Sequence, residues 1–154
     1  MSEQDPIRVF VTHAFDEHEE YSRVFEYLES RDNFFYTNCS QPDVAAGDSA
    51  AMQEEIRRQI HASEAVVFPM GIYNINPALF EFELTVAQAF DKPVIAIKAF
   101  GDTLTIPAKL LEAAVETVEW NDRDITDALR RHGRGEDVAQ WDVVDFDPDD
   151  FNTD

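Results

Sequence analysis

The chain has 154 residues, of which 44% are hydrophobic, enough for one domain with a sizeable core. Its formal net charge of −20 argues against direct binding to nucleic acid or to an anionic membrane, because their phosphates would repel the protein. No apolar run approaches the roughly 20 residues of a membrane span, and the opening residues lack a signal-peptide pattern, so we expect a cytoplasmic protein.

Short apolar runs alternate with amphipathic segments along most of the chain. The runs predict strands, and the segments with apolar residues at i, i+3 and i+4 predict helices. The predicted strands are Ile7–Thr12, Asn33–Thr37, Glu64–Pro69, Lys92–Ile97 and Glu116–Trp120, and the predicted helices are Asp16–Ser30, Ala50–Ala62, Pro77–Phe90, Pro107–Val115 and Asp122–Arg131.

This alternation predicts the α/β class, with right-handed crossovers and a parallel sheet covered on both faces. We expect a flavodoxin-like three-layer sandwich with a five-stranded parallel sheet in the order 2-1-3-4-5. Continuous apolar runs such as VVF and VIAI fit strands that are buried on both faces. Functional loops should then lie at the carboxyl ends of the strands, near the point where the strand order reverses.

One carboxylate on the predicted helix Pro77–Phe90 lies among apolar neighbours. Glu83 has Leu79, Phe80, Val86 and Ala87 three or four positions away, which places it on the stripe that faces the protein. Burial of a carboxylate is costly unless it is paired or used, and it shifts the pKa of the group. Glu83 is therefore a candidate site residue. The alternative is a glutamate at the helix edge whose carboxylate reaches water.

The composition changes after His132. We therefore divide the chain into a domain, residues 1–132, and an acidic tail, residues 133–154. The charge of the tail suggests disorder, whereas its spaced aromatic residues, including Trp141 and Phe146, suggest a segment that docks on the domain or on a partner.

Several well-known chemical motifs are absent from the sequence. It contains no GxGxxG, no P-loop motif, and no CxxC or HExxH spacing. Its four histidines form no local metal pattern, so we expect no metal site. The single cysteine, Cys39, excludes an intramolecular disulfide, and nothing nearby in the sequence would activate it as a catalytic thiol.

Three blocks of the sequence together resemble a TIR domain, and more closely the bacterial TIR-like proteins, including those of Thoeris-type antiviral defence. The blocks are IRVFVTHAFDEHE, PDVAAGDSAAMQEEIRRQIHASEAVV and MGIYNINPALFEFELTVAQAFDKPVIAI. In this resemblance, which covers roughly residues 6–130, Glu83 and Leu84 match the glutamate–leucine pair of the third helix. NAD-cleaving members carry their catalytic glutamate there. The chain departs from the family at Leu79, where a tryptophan is usual, and at Pro42 and Ala46, where arginine and proline are frequent.

The resemblance implies cleavage of the nicotinamide–ribose bond of NAD, with NAD as a substrate and no cofactor. It implies that Glu83 is catalytic, and that substrate-binding candidates come from the strand ends, the second loop and the third helix: His13, Phe15, Asp16, Asp43, Tyr73 and Phe80. The product would be ADP-ribose or a cyclic or conjugated derivative. Self-association, or a partner effector protein, is implied as well.

Two other classes of function stay open. The chain could be a non-catalytic interaction module that acts by TIR-type self-association, which Leu79 and the negative charge favour. A more distant alternative is a nucleoside deoxyribosyltransferase-like enzyme, which shares the layout and uses a glutamate nucleophile on a similar helix. For an enzyme of either kind, most candidate residues have ordinary structural explanations, such as turn or core positions.

Overall fold

Five parallel strands alternate with five α-helices in a computed structural model that describes residues 2–44, 47–99 and 107–136. The strands are β1 (Ile7–Val11), β2 (Tyr36–Asn38), β3 (Ala65–Pro69), β4 (Val94–Ile97) and β5 (Glu116–Val118). The helices are α1 (Glu19–Glu29), α2 (Ser49–His61), α3 (Pro77–Ala89), α4 (Ala108–Ala113) and α5 (Asp122–Arg134), and a 3₁₀-helix, Met70–Ile75, follows β3.

The sheet has the order β2-β1-β3-β4-β5, and every pair of neighbouring strands is parallel. This confirms the predicted flavodoxin-like architecture. The order reverses at β1, which pairs with β2 on one side and with β3 on the other. The crevice beyond the carboxyl ends of β1 and β3 is therefore the place where this fold most often binds ligands.

The core consists of two apolar layers, one on each face of the sheet. Helices α1 and α5 pack on one face, and α2, α3 and α4 pack on the other. Alternate residues of the central strands divide between the layers, so that Val9 and Val11 join the first and Phe10 the second. Burial on both faces explains why β3 and β4 are apolar at nearly every position.

Some predicted element boundaries were wrong by a few residues, and local hydrogen bonds explain the differences. Helix α1 begins at Glu19 rather than Asp16 because the ring of His18 caps it, accepting from the N–H of Glu20 at 3.2 Å. Strand β2 begins at Tyr36 rather than Asn33 because the N–H of Phe34 closes a turn onto the carbonyl of Arg31.

Helix α5 ends at Arg134, where Gly135 adopts a left-handed conformation with φ of 65°. It therefore continues two residues beyond the predicted end of the domain at residue 132, and that domain boundary stays a prediction. The tail aromatics Trp141 and Phe146 lie outside the described residues. Among the residues that are described, no helix has the length and apolar character needed to cross a membrane.

Candidate functional site

Glu83 lies on the inner face of α3 with none of its surface exposed. The helix begins with Asn76 as its N-cap, whose side chain accepts from the N–H of Leu79 at 3.2 Å, and with Pro77 in its first turn. This start sets the phase of the helix, so that Glu83 lies among buried neighbours that include Phe80 and Leu84. The alternative of a carboxylate that reaches water at the helix edge was wrong.

The two carboxylate oxygens of Glu83 have different surroundings. Oε1 accepts a hydrogen bond from the backbone N–H of His13 at 3.1 Å. Oε2 is buried and has no hydrogen-bond partner among the described residues. Burial raises the pKa of Glu83 well above its ordinary value of 4.5, and the bond from His13 opposes this shift only in part. A buried carboxyl with an unpartnered oxygen is an unusual feature that calls for an explanation.

The hydrogen bond from His13 to Glu83 connects the segment after β1 with the helix that follows β3, at the point where the strand order reverses. His13 follows β1, and Glu83 lies on the helix after β3, the neighbouring strand. The pairing of β1 with β3 continues through Thr12, whose N–H donates to the carbonyl of Val67 at 3.0 Å. His13 is thus placed at the carboxyl edge of the sheet, as the sequence predicts for a residue at a strand end.

The imidazole of His13 is buried and bonded at both nitrogens. Nε2 lies 2.9 Å from Oε1 of Gln59 on α2, and Nδ1 accepts from the backbone N–H of Phe15 at 3.0 Å. Because Nδ1 accepts, the proton of the neutral ring is on Nε2, which donates to Gln59. Burial lowers the pKa of His13 and so favours this neutral form. The hydrogen bond to Gln59 and the charge of Asp16 oppose the shift in part.

Phe15 has a left-handed backbone conformation, with φ of 62°. Such a conformation costs of order 1–3 kcal/mol for a residue other than glycine, and strained residues of this kind cluster at functional sites. Its ring is partly buried and meets the ring of His13 edge-on, with 5.0 Å between the centroids. The structure therefore brings together three of the candidate residues: Glu83, His13 and Phe15.

The other four candidates are placed differently. Asp16 and Asp43 are exposed, and the charge of Asp16 opposes the lowering of the His13 pKa. Tyr73 is buried, and its hydroxyl donates to Oε2 of Glu81 at 3.1 Å. Phe80 has no exposed surface and packs against Phe68 in the core, 6.2 Å between ring centroids. None of these four has a hydrogen bond to Glu83 in the described part of the chain.

Two polar residues near the site were not predicted as site residues. Gln59 is fully buried, and a sequence signal for it exists, since it lies between the inward-facing Ile56 and Ile60. Glu20 is partly buried, and its Oε1 also has no hydrogen-bond partner among the described residues. Its carboxyl group lies against Gly71, where an added Cβ would be 2.2 Å from Oε2. No sequence pattern reveals that contact, because it joins the start of α1 to the 3₁₀-helix after β3 through the tertiary fold.

The cationic side chains that could offset the negative charge near a dinucleotide are already in ion pairs. The pairs are Arg8–Glu64, Arg57–Glu54, Arg58–Glu55 and Lys98–Glu119, all with nitrogen–oxygen distances of 2.7 to 3.3 Å. These side chains are about half exposed, so each pair is weak in water and can exchange partners. A phosphate group could therefore recruit such a cation only in competition with a glutamate.

Comparison of the chain with protein-family models and with curated protein sequences found no match. Within the described ranges, no group of three or more His, Cys, Asp or Glu residues is arranged to hold a metal ion. The resemblance to TIR domains therefore stays a prediction.

Proposed function

We propose that the protein is a TIR-like signalling enzyme that cleaves NAD, releases nicotinamide, and forms ADP-ribose or a cyclic or conjugated derivative of it. The role we propose is bacterial defence signalling in the cytoplasm. The observation that carries the proposal is the buried carboxyl of Glu83 near the reversal point of a parallel sheet, with one oxygen that has no hydrogen-bond partner among the described residues.

The proposed reaction requires a negative charge next to a developing positive one. The bond between C1′ of the ribose and the nicotinamide nitrogen breaks, and nicotinamide leaves as a neutral molecule with the bonding electrons. The ribose becomes oxocarbenium-like in the transition state, and water or a hydroxyl group of an acceptor adds at C1′ and loses a proton. A carboxylate in an apolar environment stabilises such a cation more strongly than it would in water.

The raised pKa of Glu83 fits this role when the charge of the substrate is considered. Burial favours the neutral carboxyl in the free protein. The nicotinamide ring of NAD is cationic, and its arrival next to Glu83 would favour the carboxylate form, as any nearby positive charge does. In this proposal the substrate therefore helps to ionise the group that catalyses its cleavage.

The enclosure of Glu83 implies that access to it is controlled. With no exposed surface, its carboxyl group can meet a substrate only after residues that cover it move. We propose that self-association, or contact with an effector protein, produces this opening. A second copy would also help with the phosphates, because Arg57, Arg58 and Lys98 already pair with glutamates, and Arg8 pairs with Glu64 near the amino ends of β1 and β3.

The test is to incubate the purified protein with NAD, over a range of protein concentrations, and to measure released nicotinamide by chromatography. A parallel incubation with a deoxynucleoside tests the deoxyribosyltransferase alternative by release of a free base. Release of nicotinamide that rises more than proportionally with protein concentration is the expected result. No release at any concentration would contradict the proposal.

A non-catalytic interaction module is the second candidate, and the same enclosure favours it. Glu83 has no exposed surface and accepts from the N–H of His13, so its whole role could be to fix the shape of the loop after β1. In that case the protein would self-associate without consuming NAD. Sedimentation analysis of samples from the same incubation separates the two candidates, since only the enzyme couples assembly to nicotinamide release.

A further inference from the structure

Gln59 is a fully buried polar residue on the face of α2 that packs against the sheet. A buried amide is unfavourable unless its hydrogen-bonding groups are satisfied. All four hydrogen-bonding positions of this amide are used. Oε1 accepts from His13 Nε2 and from the backbone N–H of Gln41, both at 2.9 Å, and Nε2 donates to the carbonyl of Gln41 at 3.3 Å and to Glu55 at 3.2 Å.

These contacts determine which way the amide points. A backbone N–H can only donate, so the atom of Gln59 that faces the N–H of Gln41 must be the oxygen. The same oxygen faces Nε2 of His13, which must therefore carry a proton. The hydrogen bond from the N–H of Phe15 fits the same tautomer, because this N–H donates to Nδ1.

We infer that Gln59 is a positioning residue for the proposed reaction: it holds His13 as the Nε2–H tautomer, and thereby keeps residues 13–15 in the shape that directs the His13 N–H at Glu83. In this tautomer Nδ1 is free to accept from Phe15 and to stabilise its left-handed backbone. Gln59 also bonds both backbone groups of Gln41, so it ties the segment after β2 to the segment after β1.

This inference rests on the proposed function in only one respect, the role of Glu83 in catalysis. The tautomer of His13 can be measured without any substrate, by nitrogen-15 NMR of the ring nitrogens at neutral pH. Wild-type protein should show a single species, protonated at Nε2. A mixture of tautomers, or protonation at Nδ1, in the wild type would overturn the inference.

Two variants test the role of Gln59, and a third serves as the control. Gln59→Leu removes the acceptor, and it should give a mixture of His13 tautomers and lower kcat for NAD by about tenfold, with a smaller change in KM. Gln59→Glu keeps an acceptor for both N–H groups but loses the donors to the carbonyl of Gln41 and to Glu55, so it should keep the proton on Nε2 of His13 at a cost in stability. Gln53→Leu makes the same change as Gln59→Leu at a partly exposed position of the same helix and should alter neither the tautomer nor kcat.

The outcomes separate the inference from the proposed function. A Gln59→Leu protein that keeps one Nε2–H species, or a folded Gln59→Glu protein with mixed tautomers, would overturn the positioning role. If Gln59→Leu does not fold, the Gln59→Glu result decides, and if neither variant folds, a purely structural role replaces the positioning role. Wild-type protein that is inactive on NAD would contradict the proposed function, and the tautomer data would still decide whether Gln59 positions His13.

Discussion

His13 and Glu83 lie 70 positions apart in the sequence, yet the backbone N–H of His13 donates to Oε1 of Glu83 over 3.1 Å. The bond uses a main-chain donor, so substitution of the His13 side chain does not remove it directly. It leaves Oε2 as the carboxylate atom that has no partner among the described residues. In the proposed site, Oε2 of Glu83 is therefore the atom available to a substrate. Four predictions concern Glu83 and the fold around it.

Replacement of Glu83 by glutamine should abolish most NAD cleavage. The amide keeps the size of the side chain and an acceptor for the His13 N–H, but it removes the charge that would stabilise an oxocarbenium ion. We expect the rate of NAD consumption to fall by about 10²-fold or more, or roughly 3 kcal/mol of transition-state stabilisation. The measurement is nicotinamide release at a concentration where the wild type is active.

Glu81→Gln is the matched control on the same helix. Glu81 is partly exposed and contacts Tyr73 and Lys109 rather than Glu83, so its loss of charge should change the rate little. Equal activities of wild type and Glu83→Gln would show that the charge of Glu83 has no catalytic role. Equal losses in both variants would point to a general effect of the helix charge.

The rate of NAD cleavage should depend on pH through Glu83. The active form is the carboxylate, and burial raises its pKa, so activity should be lost on the acidic side at a pH well above the ordinary value of 4.5. The measurement is kcat/KM as a function of pH, which reports the groups of the free enzyme. An acidic limb that coincides with that of an unperturbed glutamate would contradict the assignment.

Glu83→Gln should stabilise the protein increasingly as the pH rises. A group whose pKa is raised by folding favours the folded state below its unfolded pKa, about 4.3 for glutamate, and loses that contribution as the pH rises through the folded pKa. The amide does not ionise, so it avoids this loss. Melting temperatures of the two proteins should be similar near pH 4, and the variant should melt higher at pH 7 and above.

A difference that stays constant from pH 4 to pH 8 would argue against a raised pKa for Glu83. The control is Glu81→Gln, which makes the same change at a partly exposed position of the same helix. This experiment needs no substrate, so it tests the burial of Glu83 even if the protein does not cleave NAD.

Two glycine substitutions should differ in their effects on stability. An alanine Cβ at position 133 would lie 2.7 Å from Cδ1 of Ile7, a core side chain with no exposed surface, so Gly133→Ala should cost about 1–3 kcal/mol, less the gain of up to about 1 kcal/mol in helix propensity. At Gly71 the clash is with the carboxyl end of Glu20, which can swing into water. Gly71→Ala should therefore cost less, and urea denaturation of both variants checks the order.

Much of the fold was predictable because hydrophobic periodicity and strand–helix alternation are local properties of the sequence. Both the strand order and the inward face of Glu83 follow from such patterns, and both are confirmed. The remaining errors come from side-chain caps, which compete with periodicity. His18 delays the start of α1, and Asp48 caps α2, which begins at Ser49 rather than Ala50, by accepting from the N–H of Ala51 at 2.9 Å.

The site was predictable only as a set of strand ends. The sequence placed His13 at a strand end and Glu83 on the inward stripe of its helix, but the hydrogen bond between them depends on the exact height of α3 above β1, which no local pattern records. Tyr73 illustrates the same limit, because it follows β3 as expected yet bonds to Glu81. Gln59 was missed because a polar residue between two inward-facing isoleucines looks like a break in the apolar stripe.

The guanidinium of Arg134 bonds to Glu64, Asp5 and the carbonyl of Pro6, all next to the amino ends of β1 and β3. His13 and Glu83 occupy the opposite ends of the same two strands, and five strand residues separate these ends by about 16 Å. The ion pairs of Arg134 and the proposed site thus lie at opposite edges of one sheet. Substitutions that strengthen the Arg134 contacts can raise stability without touching the Glu83 oxygen that has no partner among the described residues.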